Sequence, residues 1–372
     1  LPDISEYAVP SSPGGKAKKK RGSTYMTKKL LALAMLFTLT GCVEKEPDKH
    51  VWRLQSQAVA TSIDFIELGR FAENVALMSN GRLQISVHPG GELANGADIF
   101  SAVSDGRIEM GNGWPNWWSA KHPAWAVMNA GPFDFMNLDA SMMFFLAGTG
   151  TEIANELANP EGILWRPAWW PGMEFGLISR EPVTGLADLR GKKIRIGPGL
   201  PSEVLAEASG SYAIPLVPSE IEPALRSGDI DAVEWTTPSG AWDLGLQDIG
   251  RHAIVPAIWQ PSVLSDFLIN KTAYDQLPPD LQAILESAIK SYTLTTTFKA
   301  KLKDFEALQK FQASEITIRR WSKEDIEAWR KANDSVIKRY KAADDYTRKL
   351  LDTKRDFKDK YNEYYRYFGA YD

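Results

Sequence analysis

One strand–helix–glycine–strand pattern occurs twice in this chain. RLQISVHP, the run around ADIFSAVSDG and RIEMGNGW form the first copy; YAIPLVP, SEIEPALRSG and DIDAVEW form the second. Ala102, Val103, Gly106, Ile108 and Glu109 fall on Ala224, Leu225, Gly228, Ile230 and Asp231, at a constant offset of 122 residues. The glycine supplies the left-handed conformation that ends each helix and turns the chain into the next strand. Such alternation predicts parallel α/β layers, and open parallel sheets bind ligands beyond the carboxyl ends of their strands. In both copies that end carries unusual side chains: Asn112 and Trp114 in the first, Glu234 and Trp235 in the second. The expected fold is therefore α/β, with two lobes facing one crevice as a clamshell.

Two stretches suit strands that cross between the lobes. ILWRPAWWPGMEFGLISR carries the chain out and AIVPAIWQPSVLSDFLINK carries it back, each an apolar run broken by Pro, Trp and a polar residue. This gives lobe 1 residues 50–172 and 262–290, and lobe 2 residues 173–261 and 300–335. LPPDLQAILESAIKSYTLTTTFKAKLKDFEALQKF reads as one long helix beginning near its paired prolines. Val336, Tyr340, Ala343, Leu350, Phe357, Tyr361, Tyr364 and Phe368 form an apolar stripe at helical spacing. Residues 336–372 thus read as a C-terminal helix, docked on its own fold or against a second copy.

The segment MTKKLLALAMLFTLTGC, residues 26–42, has two lysines, an apolar run from Leu30 to Leu39 and a closing LTGC. The run is half the length of about 20 residues that a spanning helix needs, and suits a secretory signal. LTGC looks like a bacterial lipobox, which makes residues 26–41 a lipoprotein signal peptide, Cys42 the lipidated residue and 42–49 a tether. The bland alternative is a short buried helix ending in a free thiol. Residues 1–25 read as a leader outside the native chain, with translation starting at Met26. Cys42 is the one cysteine, so neither an intrachain disulfide nor a thiolate metal cluster is expected. The mature protein would sit outside the cytoplasmic membrane, held there by lipid alone. A formal net charge of −4 argues against a nucleic-acid partner, which needs a concentrated basic face.

Arg195, in GKKIRIGPG, stands where a strand end meets the crevice, and its planar guanidinium suits a carboxylate. Glu234, in DIDAVEWTTP, ends an apolar strand and must be solvated, paired or metal-bound. With Gln260, in AIWQPS, it offers hard oxygen ligands to Na⁺ or Ca²⁺. Glu174, in PGMEFG, joins them if it rather than Met173 faces inward. The bland readings are a surface arginine and an ordinary salt bridge. His50, His88, His122 and His252 are scattered without zinc spacing, and no nucleophile elbow or phosphate loop occurs. Two carboxylates facing a tryptophan-lined cleft also suit a glycosidase pair, so a secreted lipoprotein glycoside hydrolase using Glu174 and Glu234 is the rival reading. A scaffold lipoprotein using the C-terminal stripe is a third.

From about Trp52 to about Phe368 the chain resembles the solute-binding proteins of tripartite ATP-independent periplasmic (TRAP) transporters. GRLQISVHPGGELANGADIFSAVSDGRIEMGNG, LADLRGKKIRIGPG, PSEIEPALRSGDIDAVEWTTP and INKTAYDQLPPDLQAILE carry the likeness, in that order. The branch that binds small α-keto and hydroxy acids looks most similar. The resemblance implies a periplasmic-binding-protein-like clamshell that captures a carboxylate and passes it to a membrane permease. It places the ligand-pairing arginine on Arg195. It places a bridging metal ion on Glu234, with Trp235 beside it, and on Gln260. The first-crossover ligand falls on Met173 or Glu174. Asn116, in GNGWPNWW, stands where the branch more often carries tyrosine, and Trp114 and Trp170, with Trp117 and Trp169 nearby, would shape the pocket. In this branch the C-terminal helix also makes a swapped dimer, so a homodimer is implied.

Overall fold

The computed structural model describes residues 48–129, 131–135 and 137–369. The expected leader, signal segment and Cys42, with most of the tether, lie outside the described residues. No described helix is long and apolar enough to cross a membrane.

The described strands run in chain order as β1 (His50–Ser56), β2 (Leu83–His88), β3 (Met110–Gly113), β4 (Ile163–Trp169), β5 (Leu177–Ser179), β6 (Lys193–Arg195), β7 (Tyr212–Ile214), β8 (Ala232–Glu234), β9 (His252–Val255), β10 (Ser265–Asn270) and β11 (Thr317–Arg320). They form two sheets, ordered β2-β1-β3-β10-β4 and β11-β9-β5-β8-β6-β7. Each sheet is built on three parallel strands, β2-β1-β3 and β7-β6-β8. The sequence repeat is therefore a structural one. β3 and β8 hold the same place in their sheets, and Gly106 and Gly228 ahead of them are both left-handed, with φ of 70° and 89°.

The sheets are mixed, which corrects the expectation of parallel layers. β10 runs antiparallel to β3 and β4, and β5 antiparallel to β8 and β9. These two are the strands that have just crossed from the other lobe. The carboxyl ends of β3 and β8 face the cleft, so a chain arriving from the cleft enters at that edge and runs the opposite way. The crossovers touch midway through an isolated antiparallel bridge between Met173 and Ser262. There the Glu174 N–H also donates to the Pro261 carbonyl at 3.1 Å.

The expected long helix is a single element, Pro279–Ala313. Its first half packs Tyr292 against Phe71 and Phe267 beneath the first sheet. Its second half serves the other lobe: Phe311 stacks on Phe175 at 4.7 Å, and Asp304 accepts from Thr237 Oγ1 at 2.6 Å and from the Ser239 N–H at 2.9 Å. The C-terminal stripe is not one helix. It is divided between Lys323–Ala343 and Asp345–Phe368, because Asp344 adopts an extended conformation and caps the second helix at Thr347. Val336, Leu350 and Tyr361 are buried against the chain's own core, while Tyr364 and Phe368 at the far end are exposed.

Behind the cleft, Asp266 of β10 is fully buried. Its Oδ2 accepts from the indoles of Trp118 (2.9 Å) and Trp165 (2.8 Å), while Oδ1 has no partner. Burial pushes its carboxyl up to about 7, against the pull of the two indoles. The folded protein thus keeps a proton that the unfolded chain has lost above pH about 4, so this group costs stability progressively as pH rises from about 4 to about 7. Asp266→Asn retains an acceptor oxygen and cannot ionise. Its melting temperature should gain on that of wild type between pH 4.5 and 8, and parallel pH profiles would show that Asp266 does not titrate in the fold.

Candidate functional site

The segment Gly111–Trp118 divides its tryptophans between two surroundings. β3 ends at Gly113, and a single 3₁₀ turn follows at Pro115–Trp118. That turn sends Trp118 inward to Asp266, where its indole N–H finds the buried acceptor that such a group needs. Trp114 and Trp117 stay half-buried and line the cleft. Trp114 lies against Trp169, with ring centroids 6.2 Å apart. Asn112 has no part in the cleft: it joins β1, β3 and β10 through Ser56, Ser265 and the Asp266 carbonyl.

At the corresponding ends of the second sheet, β6 delivers Arg195 and β8 delivers Glu234. Arg195 is only 4% exposed. Its Nη1 donates to the Glu234 carbonyl at 2.8 Å and to Glu234 Oε2 at 3.1 Å, and its Nε donates to the Leu216 carbonyl at 3.1 Å. The guanidinium lies 4.9 Å from the Trp235 ring centroid, a cation–π position. Nη2 makes no hydrogen bond with the described residues, which leaves one fork position for a carboxylate. Burial lowers the Arg195 pKa, with Glu234 and Glu174 opposing; from so high an ordinary value the group stays a cation. Thr236, after Trp235, takes a left-handed φ of 35° and accepts the Phe175 N–H at 2.9 Å.

The crossovers supply the remaining polar groups. Glu174 is buried, while Met173 is 37% exposed, so the carboxylate is the one that faces inward. Glu174 Oε1 accepts from Gln260 Nε2 at 3.2 Å, and Oε2 is buried without a partner. Desolvation first, and the Glu234 charge second, hold its carboxyl well above the ordinary carboxylate range.

These groups surround a cavity of about 360 Å³, part of it open to solvent. Arg195, Glu174, Glu234, Trp235, Gln260, Asn116 and Trp114 all line it, so the structure brings together every expected site residue except Trp170. Trp170 is in the core, its indole donating to Ser141 Oγ at 2.8 Å. Its neighbour Trp169 takes the cleft position, lining an adjoining chamber of about 810 Å³ with Val59, Ile63, Leu244 and Ala300. The two chambers share Trp114, Trp235 and Thr236. Sequence reasoning missed Asn129, Thr236 and Val263, which also line the smaller cavity; no spacing or motif marks them.

Among the described residues no group of three or more His, Cys, Asp or Glu stands together. The lining residues that could hold a cation are Glu174, Glu234 and Gln260 through side-chain oxygens, and Trp235 through its main-chain carbonyl only, because an indole has no acceptor to offer. That is a hard-oxygen set suited to Na⁺ or Ca²⁺. The orphaned Glu174 oxygen and the raised Glu174 carboxyl both fit a missing positive charge.

A family model described as bacterial extracellular solute-binding protein, family 7, matches residues 55–344. Among solved structures the chain is similar to a TRAP periplasmic solute-binding protein from Pseudoalteromonas atlantica T6c with bound sodium and pyruvate. The TM-score is 0.81 and the identity 28%, covering 86% of this chain and 97% of that one. A protein of the same kind from Colwellia psychrerythraea, with bound calcium and pyruvate, also gives 0.81, at 26% identity over 86% and 97%. An apo open structure from Rhodobacter sphaeroides, 28% identical over 84% and 98%, gives 0.64.

The charge imbalance can be tested directly. Glu174→Gln removes the raised carboxyl, and with it a stability cost that grows as pH climbs from the ordinary carboxylate range toward the raised value. In cation-free buffer at pH 7.5 the variant should melt a few degrees above wild type. Adding Ca²⁺ should raise the melting temperature of wild type more than that of the variant, whose amide oxygen can ligate but carries no charge; equal responses from both proteins would remove the Glu174 charge from the cation site.

Proposed function

The chain belongs to bacterial extracellular solute-binding protein family 7, and from that premise we propose that it captures a small 2-oxo or 2-hydroxy monocarboxylate together with a cation. Proteins of this TRAP family are receptors that present small organic acids to a membrane permease. The observation that carries the ligand reading is that Arg195, with Nη2 unused among the described residues, and Glu174, with one buried oxygen lacking a donor, line the same cavity. Arg195 takes the ligand carboxylate. Glu174, Glu234, Gln260 and the Trp235 carbonyl hold the cation, whose positive charge lets two ionised glutamates and an anionic ligand share one desolvated site. Trp114 and Trp235 exclude water from it. Pyruvate with sodium or calcium in the two similar structures supports this reading.

With both glutamates ionised and Arg195 charged, the site carries one net negative charge. A monovalent ion cancels it, whereas a divalent ion leaves a positive charge to meet the ligand's own carboxylate. The site therefore favours Ca²⁺ over Na⁺. No observation favours the glycoside hydrolase: Glu234 is tied to Arg195 and Glu174 to Gln260. Cys42 anchors the protein by lipid on the periplasmic side, a reading supported by the basic, short apolar and LTGC segments around it. We keep lobes of 50–172 with 262–290, and of 173–261 with 300–335, a reading supported by the division of strands between the two sheets.

The chain also pairs with a second copy, and the contact moves from the C-terminal stripe, mostly spent on the chain's own core, to the long helix. Leu294, Phe298, Leu302, Phe305 and Leu308 lie along one side of that helix and are 39–62% exposed. Their order reads the same in both directions. An antiparallel copy therefore sets Phe298 against Phe305 and Leu294 against Leu308 about a two-fold axis near Leu302, the self-complementarity that an isologous dimer needs. The patch covers roughly 500 Å² per copy, at the upper end for a monomer's exposed apolar surface.

Calorimetric titration with pyruvate and lactate, in Ca²⁺, in Na⁺ and after chelation, tests the ligand. Binding should need the ion, and Arg195→Ala should weaken it by at least a hundredfold, as expected for a buried charge-assisted contact. Full affinity in Arg195→Ala would overturn the assignment, and silence across both acids would return the scaffold reading. For the pairing, Phe298→Lys should turn a sedimenting dimer into a monomer that still binds ligand. A wild-type monomer at all concentrations, or a dimer indifferent to Phe298→Lys, would end it.

A further inference from the structure

We propose that Asn116 is a catch between the lobes: it holds the loop after Arg195 in its closed position and does not itself read the ligand. The idea rests on the cleft being a site that closes over its solute.

Asn116 is 4% exposed, and protein groups engage both ends of its amide. Nδ2 donates to the Pro198 carbonyl at 2.8 Å, and Oδ1 accepts from Asn129 Nδ2 at 3.1 Å. Asn129, also buried, accepts the Leu264 N–H on Oδ1 at 2.6 Å. Three hydrogen bonds therefore run in series, from the return crossover through the first lobe to the loop that follows β6 in the second. Their direction is fixed. The series begins at a main-chain N–H, which can only donate, and ends at a carbonyl, which can only accept. Turning either amide would set donor against donor or acceptor against acceptor.

The loop is shaped to make that contact. Gly199 has a φ of 97°, and a Cβ on it would lie 3.3 Å from Asn116 Cβ and from Ala126 Cα. A Cβ on Gly197 would lie 3.2 Å from Asn116 Nδ2. Glycine on both sides of Pro198 lets that carbonyl approach without crowding Asn116, and it does so three residues beyond Arg195. Two of the three bonds lie within the first lobe and its returning strand. The bond to Pro198 is the one that joins the two lobes, and the catch requires that it break when they part. The described arrangement superposes better on a ligand-bound relative than on an apo open relative of equal identity, with TM-scores of 0.81 and 0.64.

A ligand contact and a catch make different predictions. A contact would discriminate between ligands; a catch weakens all of them by one factor, and acts even without them. The test uses the full chain with Cys42→Ser, so that spin labels can be placed at Ala97→Cys and Ser219→Cys, both exposed on opposite sides of the cleft. Distances between the labels are measured without ligand and with pyruvate and Ca²⁺. Asn116→Asp is isosteric, keeps the acceptor for Asn129 and replaces the crossing donor with an acceptor; Asn116→Ala removes both the crossing donor and the acceptor for Asn129, without adding charge. Both should lower the short-distance population in each condition. In Asn116→Ala, pyruvate and lactate should dissociate faster by a common factor of about five, the usual weight of a buried hydrogen bond, with association little changed. Unchanged distances and off-rates within twofold of wild type would overturn the proposal. So would unchanged distances with a loss that differs between the two acids, which would make Asn116 a ligand contact. If wild type binds neither acid, the solute reading fails, while the ligand-free distances still decide the catch.

Discussion

The cleft depends on one buried guanidinium. Arg195 meets Glu234 through both its main chain and its carboxylate, lies over Trp235, and fixes the ends of β6 and β8 relative to each other. It faces two carboxylates, and a buried charge without a partner costs several kcal/mol. The site is thus locally unbalanced, and the imbalance is concentrated on Glu174, whose Oε2 has neither donor nor water-exposed surface. Burying a second glutamate beside the first makes little sense as a stabilising device. As a receptacle for a cation and an anionic solute that arrive together, it makes physical sense.

The two halves of that receptacle come from different parts of the topology. Arg195, Glu234 and Trp235 stand on strand ends of one sheet, whereas Glu174 and Gln260 stand on the two crossovers. Pairing of β5 with β8 sets Leu177 opposite Glu234, so the outbound crossover leaves the second sheet beside the glutamate it must approach. The Met173–Ser262 bridge then holds the crossovers together just where Glu174 and Gln260 project. A hinge motion that twists these crossovers changes the spacing of the Glu174 and Gln260 oxygens, so in the proposed function ion binding and lobe closure share one backbone.

Much of this was legible because it rests on local rules. Gly106 and Gly228 announced two helix ends, and the matched polar residues beyond them announced two strand ends at one crevice. What failed was what depends on register or on partners distant in sequence. Trp169 and Trp170 alternate in an extended segment, so a one-residue ambiguity sends one ring to the cleft and the other to Ser141. The crossing strands read as ordinary strands, but nothing local reveals that each will pair antiparallel in its new sheet. The C-terminal stripe kept helical spacing across Asp344, and the break shows only in the aspartate that caps the next turn at Thr347. Asn116 was recognised as belonging to the cleft, yet both its partners lie on other elements, so its saturation by Pro198 and Asn129 could not be read from the chain.

Two opposed energies then meet in the closed state. Closure forms the Asn116–Pro198 bond, which contributes about 1 kcal/mol net because both groups are hydrated when apart. It also strips water from Glu174 and Glu234, at a cost that for buried like charges is several times larger. Left empty, the closed arrangement is therefore held by its weaker contribution and opposed by its stronger one. A cation reverses the sign of the stronger contribution, and a carboxylate on Arg195 then completes the site across both lobes. Because only the closed state makes these contacts together, the pair of ligands shifts the equilibrium by their differential affinity for it. On the proposed reading the catch sets how long the closed state lasts, and the charge imbalance sets how often it forms without its solute.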